Sequence, residues 1–77
     1  MNFENFIEKI APLFEETLPS SLTPQTRYKE LPEWTSLIAL SLIVQVFNEL
    51  GSTITGDDIE ASGTLGELFD RVKKGAE

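Results

Sequence analysis

Residues 36–50, SLIALSLIVQVFNEL, carry no charge before Glu49. At least one side of so apolar a run must leave water, so the fold has to be built around it. The run is far longer than a usual strand of about five or six residues. Thr35 or Ser36 can cap its start, and Gly51 supplies a stop. These features favour a helix, roughly 22 Å long at about 1.5 Å per residue. A buried strand is the competing reading, because the run is rich in Ile, Val and Leu. As a helix it is apolar on two sides. Ala39, Leu42, Ile43, Val46 and Leu50 form one face; Leu37, Leu40, Val44 and Phe47 form a second at spacing i, i+3, i+7, i+10. Such a helix is either central in its bundle, under the first and last helices and the 19–35 loop, or shows a face to something else. In the second case Leu37 and Ile38 are the expected exposed members.

The remaining segments group around it. Phe3, Phe6, Ile7, Ile10, Leu13, Phe14 and Leu18 recur in steps of three and four, which predicts an amphipathic helix over residues 2–18. Pro12 interrupts it, since its ring clashes with the carbonyl of Glu8; a kink results, or a break in which Pro12 opens a second short turn. Residues 19–35 read as a long loop punctuated by Pro19, Pro24 and Pro32. A structureless loop of that length is unusual in a small domain and often functional. Its apolar members Leu22, Tyr28, Leu31 and Trp34 are expected to tack it to the helices. Residues 55–61 read as a short helical turn capped by Thr55, and residues 64–74 as a last helix. Thr64 and Glu67 have capping-box spacing, Leu65, Leu68, Phe69 and Val72 give the inner face, and Gly75 is the expected end. No strand pair and no Asn-Gly or Asp-Gly hairpin signal is present. The expected fold is all-α: one domain over residues 1–77, a small four-helix bundle with a long first loop and a short third helix.

Composition removes most chemistry. With 77 residues the core is thin, and with no cysteine it has no disulfide to help it. The absence of histidine removes the commonest general base together with a principal metal ligand. A nucleophilic triad is closed, and Lys9, Lys29, Lys73 and Lys74 stand in no Ser-Lys site motif. There is no P-loop and no dinucleotide fingerprint. Asp57, Asp58 and Glu60 could attract a cation weakly, but they lack the calcium-loop pattern and read as a solvated helix start. A self-contained enzyme is not expected. The net charge of −7 opposes binding to nucleic acid and to anionic membranes. No signal peptide and no bilayer-spanning run is read, so a cytoplasmic location is expected.

Ser36 stands out by position, where the long loop meets the first turn of the central helix. Free backbone N–H groups and the positive dipole end favour a phosphate ester there, although the hydroxyl alone is inert and a plain helix cap is the simpler role.

The run Trp34-Thr35-Ser36-Leu37 resembles the Asp-Ser-Leu signature of acyl carrier proteins, which in some standalone members reads Trp-Asp-Ser-Leu. Residues 42–51, LIVQVFNELG, resemble the family's second helix and its closing glycine, and residues 54–72 resemble its closing section. The likeness covers residues 34–74, and residues 2–18 fit the family's first helix in position and length. The resemblance implies a 4′-phosphopantetheine arm on Ser36, flanked by Thr35 and Leu37. That arm's thiol carries acyl or aminoacyl groups as thioesters. It implies a phosphopantetheinyl transferase and acyl-loading and acyl-using biosynthetic enzymes as partners, in fatty acid, polyketide or peptide-like pathways, with Leu37, Ile38 and Ser41 facing them. A monomer is expected. Trp34 would anchor the loop or wall the arm. Ile54, Ile59 and Leu68 would line a space for an acyl chain or pack as ordinary core.

Two departures stand out. Thr35 replaces the family's usual Asp; it can still cap a helix, but a negative charge used in engaging the transferase is lost. The central helix also lacks the acids that fatty-acid carriers show to basic partners, so steering by charge at that helix should be weak. The alternative reading is a pseudo-carrier of the same fold, unmodified, serving as a protein-interaction module.

Overall fold

The computed structural model describes residues 2–75. Over that span it is all-helical, with four α-helices and no strand. The ends of the expected 1–77 domain, Met1, Ala76 and Glu77, lie outside the described residues.

Helix α1 runs from Phe3 to Ile10, capped by the Asn2 side chain, which accepts from the Asn5 N–H at 2.8 Å. It is shorter than the 2–18 periodicity predicts. Pro12 breaks it, and Ala11–Leu13 tighten into a 3-10 turn with Pro12 near its start. Phe14 still reaches the core, but Leu18 is exposed. Its place on the helical face vanished with the helix.

Residues 19–35 are not structureless. They hold two single 3-10 turns, Pro19–Ser21 and Tyr28–Glu30. They also cap a helix. The carbonyls of Thr26 and Pro24 accept from the Leu65 and Gly66 N–H groups, each at 2.9 Å, and so occupy two of the donors that every helix start leaves open. A Cβ on Gly66 would stand 2.9 Å from the Pro24 carbonyl oxygen, so this junction requires glycine. Trp34 anchors the loop as expected, stacked on Phe14 at 6.4 Å and edge-on to Tyr28 at 5.2 Å between ring centroids.

Helix α2, Ser36–Leu50, is the helix that its length and stop predict. Gly51 closes it at φ 64°, a left-handed conformation that costs residues with a Cβ. Helix α3, Gly56–Ala61, starts in a full capping box. Asp58 accepts from the Thr55 N–H at 2.9 Å, and Thr55 accepts from the Asp58 N–H at 3.3 Å. The Asp58 carboxyl is held below its ordinary value, first by that Thr55 N–H and then by Arg71 at 2.8 Å. It is thus spent on structure. Helix α4, Leu65–Gly75, begins with the expected Thr64–Glu67 box. Gly75, the expected end, is its last described residue. A Cβ there would meet Ser52 Oγ and the Thr53 carbonyl oxygen at 2.6 Å, so the glycine also permits a close approach.

The core lies between α1, α2 and α4. Phe6, Ile10, Leu42, Val46, Leu68 and Val72 are all closed to solvent. Phe3, Phe6 and Phe69 add an aromatic cluster with centroids 5.4–6.0 Å apart. Buried polar groups are paired: Ser52 donates to the Val72 carbonyl at 2.6 Å and Ser62 to that of Asp58 at 2.7 Å. No described helix is long and apolar enough to cross a membrane.

Two outcomes follow for stability. Leu42→Ala empties a closed site and should cost about 2–5 kcal/mol, a large share of what a domain this small possesses. Leu40→Ala, two residues along the same helix but 62% exposed, should stay within about 0.5 kcal/mol. Urea unfolding of both variants checks the orientation of α2. Tyr28, the only tyrosine, should report the fold through its ionisation. Burial pushes its phenol up to about 12 from 10.0, helped by the nearby Glu60 and Glu67 charges. The neutral form belongs to the folded state, so its contribution is whole below 10.0 and lost as pH rises through about 12. Ultraviolet titration should show phenolate emerging with unfolding; a transition near 10 in folded protein contradicts the burial.

Candidate functional site

Ser36 is the first residue of α2 and is exposed. Both Thr35 and Ser36 are candidates for the cap by sequence; the cap is Thr35, whose Oγ1 accepts from the Ile38 N–H at 3.2 Å. The first hydrogen bond of the helix proper runs from the Ala39 N–H to the Thr35 carbonyl at 3.1 Å. The Ser36 hydroxyl has no hydrogen-bond partner among the described residues and projects from a helix start that carries no acidic residue in its first turn. With the dipole of a 15-residue helix behind it, an anion covalently held on Ser36 is favoured rather than repelled.

Two grooves flank this end of α2. One, of about 600 Å³, lies between α2 and α3 and is mostly apolar, lined by Trp34, Thr35, Ser36, Ala39, Leu40, Ile43, Gly56, Ile59 and Glu60. Its α3 wall is held from behind. The Tyr28 hydroxyl lies 2.9 Å from the Ile59 carbonyl oxygen and 2.8 Å from that of Ser62. Lys29 donates to the Glu60 carbonyl at 2.9 Å. The other groove, of about 340 Å³, lies between α2 and the segment after α1 and is lined by Leu13, Glu15, Glu16, Glu33, Leu37, Ile38 and Ser41. Glu33 is fixed there, accepting from the Glu16 N–H at 3.2 Å and the Thr17 hydroxyl at 2.5 Å. A third concavity between α3 and α4 mixes Asp58, Glu67, Asp70, Arg71 and Lys74; its Arg71 is already paired with Asp58.

The expected site residues divide between these surfaces. Thr35 and Ser36 share the apolar groove; Leu37, Ile38 and Ser41 border the acidic one. Leu37 is 71% exposed, but Ile38 is only partly so, packing its side chain against the core. The helix turns about 100° per residue, which carries Ile38 toward the Leu42–Val46 face. The second stripe is not covered by the other helices or the loop: Leu40, Val44 and Phe47 are 62%, 56% and 60% exposed. Of the three residues considered for an acyl space, Ile54 and Leu68 are core, and Ile59 alone borders the apolar groove. The Gly56 and Glu60 walls and the Glu15–Glu16–Glu33 cluster escape sequence reasoning, because no local pattern shows that residues so separated share a groove.

In comparisons with known proteins no family model matches the chain, and neither a curated protein nor a solved structure matches it.

The division of labour at the cap is testable. Thr35→Ala should cost about 1 kcal/mol, whereas Ser36→Ala should change stability by less than about 0.5 kcal/mol. Thermal unfolding of the pair reads the difference, and the reverse order would assign the cap to Ser36.

Proposed function

We propose that this chain is a carrier of acyl-carrier type. Ser36 holds 4′-phosphopantetheine installed by a phosphopantetheinyl transferase, and the chain presents acyl or aminoacyl thioesters to biosynthetic enzymes of the cytoplasm. The observation that carries this reading is the Ser36 hydroxyl: exposed, free of the cap that Thr35 provides, and set at the start of the longest helix. The residues fit such a group. A phosphodiester at Ser36 meets the positive end of α2 and no carboxylate in its first turn. The apolar groove beginning at Ser36 offers a place for a chain of modest polarity.

The arm supplies the thiol that the sequence lacks. The chain itself keeps the attachment oxygen at a rigid helix start, through the Thr35 cap and the Trp34 stack on Phe14. It also gives one wall of the neighbouring groove to a six-residue helix tethered by Tyr28 and Lys29. No general acid or base is required of it.

A second reading, an unmodified interaction module, is favoured by the exposed Leu37–Leu40–Val44–Phe47 stripe and by Thr35, which carries no carboxylate.

Intact mass before and after incubation with coenzyme A and a broad-specificity phosphopantetheinyl transferase distinguishes them. A gain of one phosphopantetheine that disappears in Ser36→Ala supports the carrier. No gain by folded protein, and none after Thr35→Asp, sinks it in favour of the module.

A further inference from the structure

Carboxylates line both grooves at the Ser36 end of α2. Glu60 belongs to the apolar groove between α2 and α3, and Glu15, Glu16 and Glu33 to the groove on the other side of α2. No Lys or Arg lines either one. In the apolar groove Glu60 is the one lining residue that carries a charge. No Lys or Arg among the described residues pairs with its carboxylate. Lys29, close by, is bound to the Glu60 backbone carbonyl at 2.9 Å instead. The Glu60 charge is felt at the buried Tyr28, whose phenol it helps to push up.

The apolar groove is short. It follows α2 from Ser36 to Ile43, about 10 Å along the helix. It does not continue inward, because Ile54, Ile59 and Leu68 are closed in the core at 0–3% exposure. A long saturated chain is held by burying many methylenes, and no space for that opens here. A short cargo depends on its polar end instead. A carboxylate there would meet Glu60 in one groove and three more acids in the other, with no cation to offset them. An ammonium group meets the opposite charge in both. The start of α2 is positive and Glu60 is negative, so one groove offers opposite charges at two points. The first suits a phosphate on Ser36, and the second suits a cation at the far end of whatever that phosphate carries.

We propose that Glu60 selects the cargo by charge: the groove retains a short amine-bearing acyl group, the thioester of an amino acid, with its ammonium against the Glu60 carboxylate, and turns away acyl groups that carry a free carboxylate. The inference rests on the carrier reading of Ser36 and adds to it the class of cargo. Glu60 is exposed, so the contact is wetted and acts as a bias. On the scale of exposed ion pairs that bias is a roughly two- to fivefold preference, and salt weakens it.

For the test, the full chain is loaded at Ser36 by a broad-specificity phosphopantetheinyl transferase. The donors are coenzyme A analogues in which an amide replaces the thioester and the cargo is a 4-aminobutyryl, valeryl or succinyl group. The first two have the same length and differ by an ammonium in place of a methyl. Intact mass reports loading, with Ser36→Ala as the unloaded control. Trp34, the only tryptophan, lines the groove, so its fluorescence and the amide shifts of residues 56–60 read occupancy. The ratio of docked to free arm should be roughly two- to fivefold higher for 4-aminobutyryl than for valeryl. It should be lowest for succinyl, and the three should converge at high salt. Glu60→Gln should erase the difference between the first two, and Glu60→Lys should make succinyl the preferred cargo. Retained helical circular dichroism confirms that these surface variants fold. A structural role for Glu60 would instead weaken docking of all three arms alike in both variants, and that result overturns the proposal. Equal docking of the three arms, or a preference that survives Glu60→Gln, also overturns it. No gain in mass removes the carrier reading and this inference together; full loading without a charge preference removes this inference alone.

Discussion

The Tyr28 phenol joins parts of the chain that have little else in common. Its ring lies at the centre of the loop, closed to solvent and edge-on to Trp34. Its hydroxyl lies within hydrogen-bonding distance of two carbonyls at the end of α3. Without that oxygen the two buried carbonyls would lose the one proton they share, at a cost of about 1–3 kcal/mol for an unsatisfied buried group. The loop that Tyr28 secures also supplies the carbonyls that cap α4. A six-residue helix such as α3 is too short to persist alone; its capping box and this tether hold it opposite Ser36. The geometry of the site therefore depends on a residue distant from it in sequence.

Helix α2 answers two demands at once. Leu42 and Val46 join it to the core, while Leu37, Leu40, Val44 and Phe47 are left in water. Exposing those four forgoes stabilisation that a thin core could use, at roughly 25 cal/mol for each Å² left unburied. A helix selected for stability alone would carry polar groups there. The acids that line its two grooves, Glu15, Glu16, Glu33 and Glu60, lie off the helix, on the segment after α1, on the loop and on α3.

The elements were legible where local chemistry alone decides them. The start and stop of α2, the Thr55 and Thr64 caps and the inner face of α4 depend on neighbours within four residues. Ser36 was legible too, because a helix start is a local feature. Reading failed where distant groups compete. The periodicity through Phe14 and Leu18 continues past Pro12, but the backbone does not, since the lost donor and the ring clash outweigh the pattern. The close approach of α4 to Ser52 and Thr53 that Gly75 allows has no local signal. Ile38 reads as surface beside Ser36; it lines the acidic groove and is also partly packed against the core.

The sequence by itself determined that the chain is helical, that a neutral helix lies at its centre, and that any reactive sulfur, metal-binding imidazole or general base of the histidine type must come from outside. Those conclusions follow from composition and from spacings of three and four. Only the tertiary structure decided which of the two apolar faces of α2 is buried, because both satisfy the same periodicity and the choice rests on where α1, α3 and the loop come to lie. It also decided that Thr35 rather than Ser36 caps the helix. Two adjacent hydroxyls are equivalent in a sequence; the extended backbone at Thr35 turns one toward the Ile38 N–H and leaves the other in solvent.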